Sequence, residues 1–363
     1  MISSMYIHIP FCSNICSYCA FTKVFYNKKI VNDYLKALEQ EINNNYQGEV
    51  LKTIYIGGGT PSALSLEELK NLFSILKPLR MNHNIEFTVE VNPENITKEK
   101  LILMKQNGVN RISMGVESTN KKVLDYLERN HDFNLVKEKV KLIKEIGINN
   151  INVDLIYAIK GETLSDLKND LNNLLSLEVT HISTYSLMIE PHTKLFIKKE
   201  KVIDEEIDYE MYKLICKTLK ENGYNHYEIS NFGKKGYESH HNIVYWNNEP
   251  YYGFGLGAAG YIGNMRYQNT TNFKDYLHGK YIKNKELLTK NDILSYALIL
   301  GFRKIDGINK NEFKKIYNID IHNLYNVKDL LKNKDLVENN DNIFINYDKI
   351  YIENSILINF IGE

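Results

Sequence analysis

Six short apolar, β-branched runs alternate with amphipathic segments over the first 230 residues, and this alternation constrains the fold of the chain more than any other feature. The runs are 5–9, 53–57, 86–91, 111–116, 151–156 and 181–187. Apolar residues recur at helical spacing between them, in the stripes Tyr34, Leu35, Leu38, Ile42; Leu66, Leu69, Leu72, Phe73; and Val136, Val140, Ile143, which ends at Gly147. Strands that alternate with helices predict an α/β fold with a parallel sheet and crossover helices.

Polar residues and glycines follow the strand-like runs. In βα barrels the active site collects at the carboxyl ends of the strands. That rule selects the loop after the first run, Gly57–Pro61 after the second, and then Glu90, Asn92, Gly115, Glu117 and Asp154. We expect all of them to face one pocket.

Three of the four cysteines lie in the loop after the first run, as Cys-x3-Cys-x2-Cys at Cys12, Cys16 and Cys19. Three thiolates can hold three irons of a cubane 4Fe-4S cluster and leave the fourth iron open to a ligand that is not protein. A structural zinc site would need a fourth ligand nearby, and the loop offers none. Cys216 falls in an amphipathic segment and is expected in the core.

Composition narrows the class of protein. The 363 residues suit one large domain with a smaller appendage. Lys plus Arg and Asp plus Glu both number 45, which argues against a globally basic nucleic-acid binder. There is no apolar run of roughly 18 residues and no signal-peptide pattern at the start. Four cysteines with an evident cluster role fit a reducing compartment, so we expect a cytoplasmic protein.

The pattern of residues divides the chain into three parts. Residues 1–235 carry the βα units. Residues 236–288 form a segment rich in glycine and aromatic residues, and long segments of this kind are usually functional. Residues 289–363 predict an α+β domain of winged-helix type, with helices near 291–303, 309–317 and 322–332 and a strand pair near 342–353.

The cysteine loop "YIHIPFCSNICSYCAF" resembles that of radical S-adenosylmethionine (SAM) enzymes. The blocks "GGGTPS", "GVNRISMGVES" and "DLIYAIKGET" make the chain similar to one family among them, the oxygen-independent coproporphyrinogen III oxidases and related haem chaperones. This resemblance implies a partial (β/α)6 barrel with a C-terminal α+β appendage. It also implies a 4Fe-4S cluster on the three cysteines and SAM on the open iron.

The resemblance further implies a set of SAM-binding residues. These are Tyr6, Tyr18, Gly58, Gly59, Thr60, Glu90, Glu117, Arg129, Asp154, Tyr185 and Met188. Glycines allow close backbone approach to the methionyl end, carboxylates suit ribose hydroxyls or an ammonium group, and an arginine fork suits a carboxylate. Simpler alternatives stay open: a tight turn for the glycines, a solvated helix charge for Arg129 and a buried strand aromatic for Tyr6.

Two further positions distinguish the haem chaperones of this family from the oxidases. The "HNIVYW" stretch that begins at His241 matches the signature of the haem chaperones, which implies that His241 binds haem, with His240 as a rival ligand. A histidine hydrogen-bonded within an ordered loop is the alternative. The oxidases carry a further cysteine where this chain has Phe21. Both features favour a chaperone without porphyrinogen oxidase activity.

The chain departs from the family pattern at three places. Glu117 stands where glutamine is usual, Lys160 replaces a proline, and Ala259 and Gly260 replace a histidine and a serine. The last departure removes side chains that could contact haem or a substrate.

Three functions are consistent with the sequence. The leading one is a haem chaperone that delivers haem to haem-dependent acceptor proteins, with an electron donor, peripheral membrane contact and a homodimer as further expectations. The alternative is an oxygen-independent coproporphyrinogen III oxidase or a related radical SAM enzyme that modifies porphyrin or haem. The third is an interaction protein with a vestigial cluster.

Overall fold

The computed structural model describes residues 2–324 and 326–361. Its strands are β1 Ser4–Ile9, β2 Phe11–Cys12, β3 Val24–Phe25, β4 Leu51–Gly58, β5 Met81–Val91, β6 Arg111–Glu117, β7 Asn150–Tyr157, β8 His181–Ser186, β9 Asn225–Glu228, β10 Asn231–Gly233, β11 Tyr252–Phe254, β12 Ala259–Ile262, β13 Met265–Asn269, β14 Ile282–Leu287, β15 Ile308–Asn309, β16 Leu336–Glu338 and β17 Asn342–Ile345. Its helices are α1 Lys28–Asn45, α2 Leu66–Leu76, α3 Lys98–Gln106, α4 Lys121–Tyr126, α5 Phe133–Glu145, α6 Leu164–Ser176, α7 Lys194–Ile197, α8 Glu205–Glu221, α9 His240–Trp246, α10 Phe273–Leu277, α11 Lys290–Gly301, α12 Lys310–Tyr317, α13 Val327–Lys332 and α14 Glu353–Leu357.

The main sheet has nine strands in the order β11-β1-β4-β5-β6-β7-β8-β10-β9. All six predicted runs are strands of this sheet, and β1 and β4 to β8 pair in parallel. Their crossovers contain the predicted helices, and the predicted stripe of α1 is buried. The predicted α/β fold is therefore confirmed, and the six parallel strands with their crossover helices form the predicted partial (β/α)6 barrel.

Side chains alternate along these strands, as the period of two requires. In β4, Ile54 and Ile56 are buried in the apolar core with the helices, while Tyr55 lines an internal cavity. In the same way Val89 of β5 joins the core and Glu90 lines the cavity. Fully burying one such aliphatic side chain stabilises the fold by about 1.5–3 kcal/mol. The apolar faces thus hold the helices on the outside and leave a polar interior for the site.

The Gly- and aromatic-rich segment supplies a strand that the sequence pattern did not predict. β11 pairs in parallel with β1, with Tyr6 opposite Gly253. An added Cβ on Gly253 would lie 1.7 Å from the carbonyl oxygen of Ala259, so only glycine fits there. The other edge of the sheet is antiparallel, where β8, β10 and β9 pair in turn. The division of the chain at residues 235 and 288 stays a prediction.

The C-terminal appendage runs α11, β15, α12, α13, β16, β17, with the three strands in the antiparallel sheet order β15-β17-β16. The winged-helix assignment of this appendage stays a prediction. The predicted strand pair near 342–353 was wrong over its second half, because residues 347–352 form a 3-10 helix that continues into α14. The Asn346 side chain accepts from the backbone N–H of Asp348 and caps that helix, while β17 pairs with β16 instead.

The part of the chain that the structure describes contains no helix that is both long enough and apolar enough to cross a membrane.

Candidate functional site

An internal cavity of about 350 Å³ opens at the carboxyl ends of the parallel strands. Thirteen of the residues predicted to bind a cofactor line this cavity. They are Cys12, Cys16, Tyr18, Cys19, Gly58, Gly59, Thr60, Glu90, Glu117, Arg129, Asp154, Tyr185 and Met188. Phe21 also lines it, and its side chain is 70% exposed. One pocket thus contains most of the predicted strand-end residues, whereas Gly57 and Pro61, like Tyr6 and His241, lie outside its lining.

The cysteine loop is held at both of its ends and in its middle. β2 and β3 pair in parallel, and the backbone N–H of Tyr26 donates to the carbonyl of Cys12 at 2.9 Å. The middle of the loop is fixed to the segment after α4, where the backbone N–H of Ser17 donates to Leu127 O at 3.1 Å. The Asn14 amide donates to Glu128 O at 2.6 Å. These bonds fix the loop backbone that carries the three thiols.

The glycine run after β4 lies directly against this loop. The backbone N–H of Gly59 donates to Ile9 O and that of Thr60 to Phe11 O, both at 2.9 Å. An added Cβ on Gly59 would lie 2.6 Å from the Pro10 carbonyl oxygen and 2.9 Å from Cys12 Sγ. Gly58 has φ +120°, a conformation that side chains of L-residues rarely adopt. Glycines are therefore required for this close contact between the two loops.

Three cysteine thiols on one loop are the donor set that a cubane 4Fe-4S cluster with one open iron requires. In residues 2–324 and 326–361, no three Cys, His, Asp or Glu side chains converge as the ligands of one ion would. A cubane distributes its thiolates over separate irons, so its cysteines stand farther apart than the ligands of a single ion. The Thr60 hydroxyl lies 3.6 Å from Cys12 Sγ, and Arg129 Nη1 lies 3.6 Å from Cys16 Sγ. Donors thus already point at two of the three thiols.

Three carboxyl groups project into the cavity from neighbouring strands, at Glu90, Glu117 and Asp154. Burial raises the pKa of Glu90 to about 7, with the charge of Asp154 adding to the effect. Burial likewise raises the pKa of Glu117 to about 7, against the opposing charge of Arg129. The pKa of Asp154 is also raised by burial. Buried acids in a confined cavity favour a ligand that brings positive charge or hydroxyl donors.

Arg129 is 5% exposed, so it is not the solvated helix charge that the sequence left open. Its Nη2 donates to Asn92 Oδ1 at 3.2 Å and to the carbonyl oxygen of Gly115. Its buried Nε has no hydrogen-bond partner among the described residues. A buried guanidinium donor without a partner is costly, and a ligand in the cavity would relieve that cost.

Tyr6 stands behind the cavity wall. Its hydroxyl shares a hydrogen bond with His8 Nδ1 at 3.0 Å, and its ring stacks on Tyr55 with the centroids 6.1 Å apart. Its role as a SAM ligand stays a prediction.

His241 lies at the opposite, amino-terminal end of the barrel strands. The ring is 1% exposed. Its Nδ1 shares a 2.7 Å hydrogen bond with the hydroxyl of Thr53 near the start of β4, and its Nε2 shares another of 2.7 Å with the hydroxyl of Tyr245. Burial, together with the charge of Arg111, lowers the pKa of His241 to about 3, so the imidazole is neutral. Both ring nitrogens are thus occupied, and its role as a haem ligand stays a prediction.

A carboxylate of β5 fixes the helix that carries His241. Glu86 accepts from the backbone N–H groups of His240 and His241, at 3.0 and 2.9 Å. The backbone N–H of Ser239 donates to the hydroxyl of Tyr227 at 3.1 Å, and that hydroxyl bonds His181 Nε2 at 2.8 Å. The start of α9 is therefore anchored across the amino-terminal end of the barrel.

Three residues between the cavity and His241 were not predicted from the sequence. Tyr55, Arg111 and Asn242 all line the cavity, and Arg111 is 2% exposed with no partner for its Nε in the described part of the chain. Tyr55 and Arg111 could have been predicted, because the two-residue period of a strand places Tyr55 on the same face as the predicted Gly57 and Arg111 on the same face as the predicted Gly115. Asn242 lies on α9 and had no such signal.

The fold and the cysteine loop define a radical SAM protein, and the model of the radical SAM superfamily matches residues 6–174. The haem chaperone HemW of Bacillus subtilis is 38% identical over 99% of both chains, and that of Lactococcus lactis is 37% identical over 94% of both. HemW of Escherichia coli is 31% identical over 85% of both chains. The chain therefore belongs to the HemW family of radical SAM proteins.

A solved structure shows the same fold over nearly the whole chain. The coproporphyrinogen III oxidase HemN of Escherichia coli superposes with a TM-score of 0.86, at 22% identity, over 99% of this chain and 90% of that one. At this identity the match establishes the fold alone.

Proposed function

We propose that this chain is a haem chaperone that binds haem and delivers it to haem-dependent acceptor proteins. The observation that carries the proposal is its identity of 37–38% with two proteins named haem chaperone HemW over at least 94% of their length. The presence of Phe21 at the cavity, where the oxidases carry a further cysteine, supports the chaperone over the oxidase.

The radical SAM class implies a 4Fe-4S cluster and SAM, and the cavity fits both. Cys12, Cys16 and Cys19 would hold the cluster, and the remaining residues of the cavity would hold SAM beside it. When bound, this pair supplies one-electron cleavage of the SAM sulfonium and requires an electron donor. The chain's own part is to hold the loops together through Gly59 and to bring the Glu90, Glu117 and Asp154 carboxyl groups and Arg129 to the ligand.

Haem is expected at the other end of the barrel, on His241. A neutral imidazole is a common axial ligand of haem iron. Tyr245 must release Nε2 before iron can bind there, because the two groups already share a hydrogen bond. The half-buried Tyr245 and Trp246 rings on the same helix could pack against a porphyrin.

A titration with haemin tests the proposal. We expect haemin binding to shift the Soret band and His241→Ala to weaken that binding. The matched control is His240→Ala, which removes the exposed neighbouring histidine and should leave haemin binding unchanged. Loss of the bound haem to an apo-form of a haem protein would then be followed by the acceptor's own absorption. An unaltered haemin spectrum with the wild-type chain would contradict the proposal.

An enzymatic assay separates the chaperone from its alternative. The protein is reconstituted with iron and sulfide under anaerobic conditions and incubated with SAM, a reductant and coproporphyrinogen III. We expect no protoporphyrinogen. Formation of protoporphyrinogen would favour the oxidase. The cytoplasmic location, the homodimer and the membrane contact stay predictions.

A further inference from the structure

Tyr55 of β4 contacts residues at both ends of the barrel interior. Its hydroxyl donates to Glu90 Oε1 at 2.8 Å in the cavity. One face of its ring stacks on His241, with the centroids 5.2 Å apart and the planes at 28°. The same ring stacks on Tyr6 with the centroids 6.1 Å apart. Tyr55 is thus held between the proposed SAM site and the proposed haem ligand.

The Glu90 carboxyl group is the point at which a ligand in the cavity would meet this contact. Its second oxygen accepts from the backbone N–H of Gly58 at 3.0 Å, within the glycine run beside the cysteine loop. Glu90 therefore links the glycine run to Tyr55, and Tyr55 links Glu90 to His241. Because protein interiors are close-packed, a change in how Glu90 holds Tyr55 must be taken up by the rings stacked on it.

We propose that Tyr55 is a positioning residue through which a cationic ligand on Glu90 weakens haem binding at His241. This inference rests on the proposed function, since it takes His241 as the haem ligand and the cavity as the SAM site. Under this proposal, SAM binding in the cavity favours the release of haem from His241 to the acceptor protein.

The sign of the effect follows from the hydrogen bonds. A ligand ammonium or sulfonium near Glu90 stabilises the ionised carboxylate, and a hydrogen bond to an ionised acceptor is roughly twice as strong as a neutral one. The firmer bond holds the Tyr55 ring in its stacked position against His241. His241 then keeps its hydrogen bonds to Thr53 and Tyr245, and Nε2 is released to haem iron less often. By linkage, bound haem weakens SAM binding by the same factor.

Haemin titrations with and without SAM test the coupling. The chain, reconstituted with its cluster under anaerobic conditions, is compared with Tyr55→Phe, which keeps the ring and its stacking but removes the bond to Glu90. The matched control is Tyr276→Phe, which removes a 2.6 Å bond between a buried tyrosine and a buried glutamate, Glu41, outside the barrel interior. We expect SAM to weaken haemin binding about fivefold or more in the wild type and the control, and not in Tyr55→Phe.

The outcomes separate this inference from the function on which it rests. If the wild-type chain binds no haemin, the proposed function fails as well. If haemin binds with one affinity whether or not SAM is present, or binds more tightly with SAM, the coupling is overturned and the chaperone proposal survives. If SAM weakens haemin binding in Tyr55→Phe as much as in the wild type, the role of Tyr55 is overturned.

Discussion

The polar residues at the two ends of the barrel differ in whether they are free to bind a ligand. At the carboxyl end, three cysteines, three acidic residues and Arg129 line a cavity. At the amino end, His241 is enclosed, and each of its ring nitrogens has a hydrogen-bond partner 2.7 Å away. The first arrangement is organised before a ligand arrives, whereas the second must give up a hydrogen bond before it can bind one. The proposed cofactor site and the proposed haem ligand therefore have separate structural requirements.

Loss of a cluster cysteine should have the largest effect and should affect one end only. Cys16→Ala removes one of three thiolates, so we expect no stable cluster while the haemin titration stays as in the wild type. Iron and sulfide content per chain, measured beside the haemin titration, checks this. Cys216→Ala is the matched control, since that thiol lies in α8 outside the cavity. A haemin titration abolished by Cys16→Ala would show that the two ends are not separate.

Gly59→Ala should also lower cluster binding at the carboxyl end of the barrel, but less than Cys16→Ala does. Its Cβ would lie 2.6 Å from the Pro10 carbonyl oxygen, so the cysteine loop must shift, at a cost of about 1–3 kcal/mol. We expect a lower cluster content and unchanged haemin binding. Gly48→Ala is the comparison, because nothing lies within 4 Å of its added Cβ and only the strain of its positive φ remains. Equal cluster contents in the two variants would rule out the close-contact explanation.

Glu86→Ala should loosen α9 and the environment of His241 at the amino-terminal end of the barrel. It leaves the backbone N–H groups of His240 and His241 without their acceptor, which costs about 1–3 kcal/mol. We expect faster hydrogen exchange in α9 and an altered haemin titration, with normal cluster content. Glu86→Gln keeps one acceptor oxygen and should lie between the alanine variant and the wild type. Unchanged exchange in α9 would contradict the anchoring role of Glu86.

The two ends should also respond to pH with opposite signs, and this is the smallest expected effect. The pKa of Glu90 is raised from 4.5 to about 7, so its neutral form favours the fold, and that stability is lost as the pH rises through this window. The pKa of His241 is lowered from 6.5 to about 3, so stability is lost as the pH falls through that window.

Urea unfolding between about pH 4 and about pH 8 checks both signs. We expect Glu90→Gln to be stabilised relative to the wild type at the alkaline end only. His241→Asn, whatever its cost at neutral pH, should lose less additional stability towards the acid end. The same pH response in the two variants would contradict the opposite environments of the two ends.

The barrel and its cavity followed from the sequence because both depend on local patterns. Active sites of βα barrels collect at the carboxyl ends of the strands, so Glu90, Glu117 and Asp154 could be assigned to one pocket from the sequence alone. The cysteine spacing likewise places all three thiols in one loop.

The environment of His241 could not be predicted in this way. It depends on Thr53 and Glu86, which lie more than 150 residues earlier in the chain. β11 escaped prediction for a related reason, since its three residues have no alternation long enough to recognise and are held by pairing with β1. Gly260 departs from the family pattern, and the fold supplies a reason: an added Cβ would lie 2.3 Å from the Tyr267 hydroxyl, which bonds the backbone of Gly253.

The separation of the two ends can be measured directly as a distance between paramagnetic centres. Thr53, which bonds His241, and Gly58, which borders the cysteine loop, are five residues apart on β4, or roughly 17 Å along the strand. Dipolar electron paramagnetic resonance between the reduced cluster and ferric haem in the doubly loaded chain should therefore give a separation of about 15–25 Å, lost in His241→Ala. A haem that lies within contact of the cluster, or one that keeps its position in His241→Ala, would contradict the account.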